Sequence, residues 1–308
     1  MRALVVGAGA VGQTYGWHLK RGGAEITFYV KPSHLDAMAG GLWLHPLGKP
    51  PAHWEDFDRV TDADAVASAG PFDQVWICTS STALRAGDWL GPLLAAAGPD
   101  ALVVTLQPGA TDRGFVESLS APERVVSGLI GLVAFQAPLP GETLEHPGVA
   151  FWLPPLTRSP MSGPRAAEAV RALRAGGFPA VVGRDVPGRL AAAGAVMQPF
   201  IGALELGGWT FKGFRKKTNG LAARAAREAM RINAPGRALG RAVMRAPVLW
   251  LVSLIAPRVV PFDLETYLRY HFTKVGDQTR VHLRSYVERA GDHPTPALRA
   301  MCDRLGDA

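Results

Sequence analysis

Cysteine is nearly absent from this chain, with only Cys78 and Cys302 in 308 residues. They lie far apart and lack metal-ligand spacing, which excludes a disulfide framework and a zinc site and suits a reducing cytoplasm. Long hydrophobic runs are also missing. The longest, Ala246 to Pro257, falls well short of the roughly 20 residues that a bilayer-spanning helix needs. Bracketed by prolines, it reads as a buried helix or a subunit contact, with a peripheral membrane contact as the minor reading. Met1 leads straight into an apolar strand, so no signal peptide is expected. Aromatic residues are sparse between 212 and 245, the most basic stretch, which speaks against nucleic acid held by stacking. Acidic residues thin out along the chain: residues 1–182 hold 16 Asp/Glu against 13 Lys/Arg, residues 183–308 only 10 against 20. Halves with such different electrostatics suggest two domains, 1–182 and 183–308.

The sequence begins with a short apolar run, Ala3 to Val6, followed by Gly7-Ala8-Gly9-Ala10-Val11-Gly12 and a helical pattern through Val11, Tyr15 and Leu19. A strand, a tight turn and a helix start with glycines at this spacing form the entrance to a dinucleotide site. Gly7 permits the turn, Gly9 lets backbone approach a pyrophosphate, and Gly12 allows close helix-on-strand packing. The phosphates then face the N–H groups of Ala10 and Val11 at the helix start. A second strand, Glu25 to Val30, ends at Lys31. An acid there would hold the ribose 2′-OH of NAD, whereas a cation suits a 2′-phosphate, so the cofactor is read as NADPH.

Further apolar runs at Gln74–Cys78, Ala101–Leu106, Val125–Leu132 and Ala150–Leu153 alternate with helical stretches, the signature of a parallel sheet wrapped by helices. Ligands in such sheets lie beyond the carboxyl ends of the strands. That rule adds Thr79, Ser80 and Gln107 to the cofactor candidates. From Asp185 onward Ala, Leu and Arg dominate, with helices expected near 187–206, 218–231, 237–256, 263–290 and 295–305. The fold expected is therefore an α/β Rossmann-type domain followed by an all-α domain, with an active site in the cleft between them.

With the glycine turn, Lys31 followed by Ser33-His34-Leu35, Gln107-x-Gly109, the helix opening near Arg189-Leu190 with Pro199 ten residues on, Lys274 to Asp277, and His293-Pro294-Thr295-Pro296, the chain resembles the ketopantoate reductase family. The resemblance implies an NADPH-dependent enzyme with a Rossmann-type N-terminal domain and a helical C-terminal domain. It also implies a lysine on the first helix of the second domain that protonates the carbonyl oxygen, and asparagines four and eight positions later.

This chain departs from that pattern. One register places Arg189, Ala193 and Met197 at those positions, and the other places Leu190, Gly194 and Gln198. Neither supplies a lysine. Pro108 replaces the asparagine of Gln-Asn-Gly, Ser81 stands for the lysine after the third strand, and the substrate-fixing glutamate falls near Ser285, one turn from Glu288.

Arg189 is suited to stabilise an oxyanion but not to donate a proton at neutral pH. His271, Lys274 and Asp277, spaced by three, are expected along one helical stripe beside Tyr270. Glu205, a lone acid in the apolar Phe200–Trp209 segment, is a further acid or base candidate. The catalytic candidates are therefore Arg189, Lys274 and Glu205, with Gln198 and Asp277 as substrate contacts and no metal. The expected activity is hydride transfer from NADPH to a ketone, 2-oxo acid or imine; the competing expectation is a catalytically inactive NADP(H) sensor or partner-binding protein. A small-molecule substrate is the expected partner. A homodimer through the helical domain is expected from the 246–257 run and the resemblance.

Overall fold

The structure, a computed structural model, describes residues 1–109, 111–274 and 276–306. The chain divides into two compact units, Met1–Pro187 and Gly188 onward. The first opens with β1 (Arg2–Val6), α1 (Ala10–Arg21), β2 (Glu25–Tyr29), β3 (Leu42–Pro46), β4 (Ala52–Trp54) and β5 (Asp58–Val60). It continues through α2 (Ala63–Ala69), β6 (Gln74–Ile77), α3 (Ser81–Leu84), α4 (Leu90–Ala96), β7 (Leu102–Thr105), α5 (Asp112–Leu119) and β8 (Val125–Gly128). It ends with β9 (Val133–Ala137), β10 (Gly148–Trp152), β11 (Ser159–Ser162), α6 (Ala166–Ala175) and β12 (Ala180–Val182).

Eight strands form the main sheet in the order β12-β11-β8-β7-β6-β1-β2-β5. All pairs are parallel except β11 against β8. The central strands β6 and β7 are buried along their whole length, as expected of continuous Val, Ile and Leu runs covered on both faces. A second sheet, β4-β3-β10-β9, takes up the expected Ala150–Leu153 strand as β10, where the sequence alone suggests a single parallel sheet. Only β10 answers to an expected apolar run; β3 and β4 are short, carry His45, Pro46 and His53, and are only partly buried, so no apolar run marks them. The expected Val125–Leu132 strand is β8 in its first half only; the chain leaves the main sheet after Gly128, and β9, which starts at Val133, belongs to the second sheet.

Helix α1 lies between the two sheets. A Cβ on Gly16 would stand 3.0 Å from Phe28 of the main sheet and 3.3 Å from Trp54 of the second. Trp17 meets Phe151 at a ring-centroid distance of 6.0 Å. The helix that follows the cofactor turn is therefore clamped on both sides by aromatic side chains.

From Val186 every described element is helical: α7 (Val186–Leu206), α8 (Phe211–Gly213), a π-helical turn over Phe214–Thr218, α9 (Asn219–Asn233), α10 (Ala238–Val243), α11 (Ala246–Val259), α12 (Leu264–Lys274), α13 (Gly276–Glu288) and α14 (Pro296–Leu305). One expected helix is two. The 237–256 pattern breaks at Met244–Arg245, because Pro247 lacks an N–H and suits a first turn, where it starts α11. The 263–290 pattern is helical over Leu264–Lys274 (α12) and Gly276–Glu288 (α13), and Val275 between them lies outside the described residues.

The 246–257 run is a helix, but not a buried one: only Leu249 and Ser253 of α11 are buried, while Trp250, Leu251, Val252, Ile255 and Val259 are exposed. No single helix among the described residues is long and apolar enough to cross a membrane.

Candidate cofactor and active site

A cavity of about 800 Å³ opens at the carboxyl ends of β1, β2 and β6. The chain leaves β1 towards β2 on one side and reaches β6 on the other, the crossover point where open α/β sheets bind ligands. Gly7, Ala8, Gly9 and Gln13 line its base. Each glycine of the turn has a distinct geometric reason to be there. Gly7 has φ +99°, a conformation that strains any residue with a Cβ. A Cβ on Gly9 would have nothing within 4 Å, so the backbone is bare towards the cavity. A Cβ on Gly12 would stand 1.9 Å from the Gly7 carbonyl oxygen, which only a glycine tolerates.

The first intrahelical bond of α1 runs from the Gln13 N–H to the Gly9 oxygen at 2.9 Å, leaving the N–H groups of Ala10, Val11 and Gly12 ahead of it. No side chain caps this helix and no acid sits in its first turn. Gln13 Nε2 donates to the Ala8 oxygen at 2.8 Å and stiffens the turn. A bare backbone, an uncapped 12-residue helix and no competing carboxylate fit a pyrophosphate.

The walls extend the fit to the rest of a dinucleotide. Lys31 is exposed at the end of β2 and lines the cavity together with His34. Tyr29 and Trp89 stack at 5.8 Å with an interplanar angle of 9° and form an aromatic wall beside Ala83 and Ala86. On the side of the second sheet stands Trp43, held between His53 and His146 at centroid distances of 4.6 and 4.0 Å. Tyr29, His34, Trp43 and Trp89 are lining residues absent from the sequence-derived candidates. Tyr29 and His34 flank Lys31 and were within reach of the strand-end rule, whereas Trp89 and Trp43 lie in segments with no strand or motif signal of their own.

Thr79 and Ser80 line the cavity as expected from their place after β6. Cys78 lies beneath the turn, with its Cβ 3.3 Å from the place a Gly12 Cβ would take, and burial pushes its thiol above the usual range, leaving it inert.

Gln107 behaves differently from the expected cofactor ligand. It is buried, donates to the Ile77 and Thr79 oxygens at 3.0 and 2.8 Å, and accepts from Thr105 Oγ1 and the Leu106 N–H at 2.5 and 3.1 Å. Its amide is thus committed to bracing the ends of β6 and β7 rather than to a ligand. Next to it, the buried carboxylate of Asp112 accepts from Ser81 Oγ at 2.6 Å, from Arg85 at 2.9 Å and from the Gly109 N–H at 2.9 Å. Ser81, standing where the resemblance has a lysine, therefore locks α3 to the start of α5.

In the helical unit the candidates are dispersed. Arg189 is exposed near the start of α7, and Gln198 is buried further along it, with no hydrogen-bond partner for its Oε1 among the described residues. Glu205 is ion-paired: Arg280 donates to its Oε1 at 2.7 Å, with both side chains largely buried. A carboxylate so engaged ties α7 to α13 and is not a free acid. The Lys274 ammonium sits over the Tyr270 ring at 3.7 Å, and no ion pair joins it to Asp277 among the described residues; Asp277 is exposed in the first turn of α13. His271 stacks on Tyr267 at 5.5 Å. Burial, with the Lys274 charge adding, lowers the His271 pKa from its ordinary value, and burial raises Tyr267 to about 12. No group of three or more His, Cys, Asp or Glu among the described residues is placed to hold a metal.

Residues 3–154 match the family model of ketopantoate reductase PanE/ApbA. The N-terminal half of the chain is thus a ketopantoate reductase PanE/ApbA domain. It is a divergent one: a comparison with curated proteins finds no match. Solved structures share its fold across nearly the whole length. A PanE/ApbA family ketopantoate reductase from Ralstonia eutropha JMP134 superimposes with a TM-score of 0.71 at 22% identity, covering 99% of this chain and 97% of that one. A 2-dehydropantoate 2-reductase from Methylococcus capsulatus gives 0.72 at 17%, covering 100% and 99%. The ternary structure of D-mandelate dehydrogenase with NADH and anilino(oxo)acetate gives 0.74 at 14%, covering 99% and 97%. This ketopantoate reductase fold thus accompanies two differently named oxidoreductases among its neighbours.

Proposed function

We propose that the chain is an NADPH-dependent reductase that delivers hydride to a ketone, 2-oxo acid or imine, with residues 1–182 binding the cofactor and 183–308 supplying the substrate side. The observation that carries the reading is the cavity at the carboxyl ends of β1, β2 and β6, with its bare Gly9 backbone, uncapped α1 and the Lys31 cation beside His34 at its rim. When bound, NADPH supplies the hydride. The chain's own residues hold and orient it: the N–H groups of Ala10 and Val11 meet the pyrophosphate, Lys31 the 2′-phosphate, and the Tyr29–Trp89 wall an aromatic base.

The substrate side needs a group that neutralises the negative charge developing on oxygen or nitrogen. We assign proton donation there to Lys274, whose ammonium is oriented by the Tyr270 ring and flanked by the half-buried His271 imidazole. Arg189 offers fixed positive charge only.

The test is NADPH oxidation against a panel of 2-oxo acids, ketones and imines, run on wild type, Lys274→Met and Lys274→Arg. Turnover by the wild type, with kcat reduced about 10²- to 10⁴-fold in Lys274→Met and NADPH affinity unchanged, is expected. Tight NADPH binding without turnover on any substrate would favour the second reading, an inactive NADP(H) sensor. That reading draws its support from the missing lysine at Arg189-Leu190 and from Ser81 and Pro108.

A further inference from the structure

Helix α11 leaves an apolar face without a partner. Leu251, Val252, Ile255 and Val259 are 50%, 49%, 47% and 63% exposed, and Trp250 is 43% exposed. At 100° per residue the four aliphatic side chains fall within one side of the helix, while the buried Leu249 and Ser253 fall on the other. The helix is anchored by its inner side, where Arg215 donates to the Ser253 oxygen at 2.9 Å and Asn219 Nδ2 to the Ala246 oxygen at 2.9 Å. The outward face is therefore held in place by the fold and is not a frayed segment.

The charge around it is of one sign. Residues 207–262 contain eleven Lys/Arg and a single acid, Glu228. That acid is spent inward, accepting from the Ala297 and Leu298 N–H groups at 3.1 and 2.8 Å. The next acids along the chain are also engaged, Asp263 by Thr266 and Glu265 by the Phe211 N–H. Arg245 and Arg258 are exposed at the two ends of α11, and Lys216 and Lys217 are exposed on the preceding π-helical turn.

An apolar helix face framed by cations has two natural occupants, a second copy of the chain or an anionic lipid surface. A second copy placed symmetrically on α11 would bring Arg245 and Arg258 against the same residues of its mate, like charges at close range around an apolar centre. An anionic bilayer complements both features at once. A helix of 14 residues spans about 21 Å, too short to cross the hydrocarbon core but long enough to lie in its interface.

We propose that α11 and its flanking cations form a docking surface for anionic phospholipid bilayers, with the helix lying in the membrane plane. The proposal is independent of the cofactor reading.

Co-sedimentation of the full chain with phosphatidylcholine vesicles, with and without phosphatidylglycerol, tests it. Binding is expected only to the anionic vesicles, weakened at high salt. It is expected to fall at least about tenfold both in Leu251→Glu/Ile255→Glu and in Arg245→Glu/Arg258→Glu. These residues are exposed, so circular dichroism and the melting temperature should match wild type, and light scattering should show a monomer before lipid is added. Failure to sediment with phosphatidylglycerol vesicles would overturn the proposal. So would a dimer in solution that Leu251→Glu/Ile255→Glu converts to monomer, because the face would then be covered by a second copy. Binding that survives both double variants would equally place the contact elsewhere.

Discussion

A single methyl group separates the roles of two glycines three positions apart. At Gly12 it would collide with the Gly7 carbonyl oxygen 1.9 Å away, so Gly12→Ala must push α1 off β1. A loss of about 3 kcal/mol or more in urea unfolding is expected, at the upper end of overpacking effects. At Gly9 the same position is open, so Gly9→Val should change stability by less than about 0.5 kcal/mol while weakening NADPH binding at least about tenfold, measured by titration calorimetry. Lys31→Asp should raise the Kd for NADPH about tenfold or more, the loss of a charged hydrogen bond worth about 1.5–3 kcal/mol, and narrow its advantage over NADH.

His18 carries a separate consequence. Its ring is buried among Trp17, Phe151 and Phe178, with Nδ1 2.9 Å from the Gly176 oxygen and no partner for Nε2. Burial holds its pKa down at about 4, against the ordinary 6.5. Between those values the unfolded chain takes up a proton that the folded one refuses, so stability falls as pH drops from about 6.5 and levels off below about 4. The loss is on the order of 3 kcal/mol. Urea midpoints measured across that range should show it, and His18→Phe should flatten that part of the profile.

At the scale of elements, the parts that were readable from sequence are those whose physics is local. β1, β6 and β7 are continuous apolar runs because both faces are covered, and α7, α9 and α14 follow from helical periodicity. The second sheet escaped because β3 and β4 are short and only partly buried, and because the pairing that joins its two hairpins sets Val149 of β10 opposite Leu44 of β3, about a hundred positions away. β11, with Pro160 in a four-residue strand at an antiparallel step, carries no apolar run at all. The cofactor turn was legible for the opposite reason, since its glycines answer to contacts within a few residues. Gln107 as a cofactor contact and Glu205 as an acid or base are expectations the sequence supports by position alone, because it does not reveal whether such a polar group faces a ligand or another element.

For Glu205 the partner is Arg280, which joins α7 to α13. Glu205→Gln and Arg280→Met should each lower stability, with a coupling energy of about 1 kcal/mol in the double-mutant cycle. Neither should reduce kcat more than about twofold at saturating substrate. A large kcat loss in Glu205→Gln alone would return Glu205 to the catalytic candidates.

At the scale of the whole molecule, each unit has its own buried clusters. Those of the first draw on residues from Ala3 to Ala180, and that of the second on residues from Ala195 to Met301. Two cores allow two melting transitions. NADPH at a hundred times its Kd should stabilise the unit that binds it by about 2.7 kcal/mol and leave the other unmoved, which differential scanning calorimetry with and without cofactor can resolve. The charge is divided along similar lines, balanced in residues 1–182 and strongly cationic beyond, so salt should act on the helical unit's surface contacts more than on the cofactor cavity.

The stacked Tyr29 and Trp89 rings also give the cavity an optical window of its own. An indole in the wall of a nucleotide site emits light that a reduced nicotinamide absorbs. Occupancy can therefore be followed as a quench of Trp89 emission, isolated from the other seven tryptophans by subtracting the signal of Trp89→Phe, without waiting for a substrate to be found.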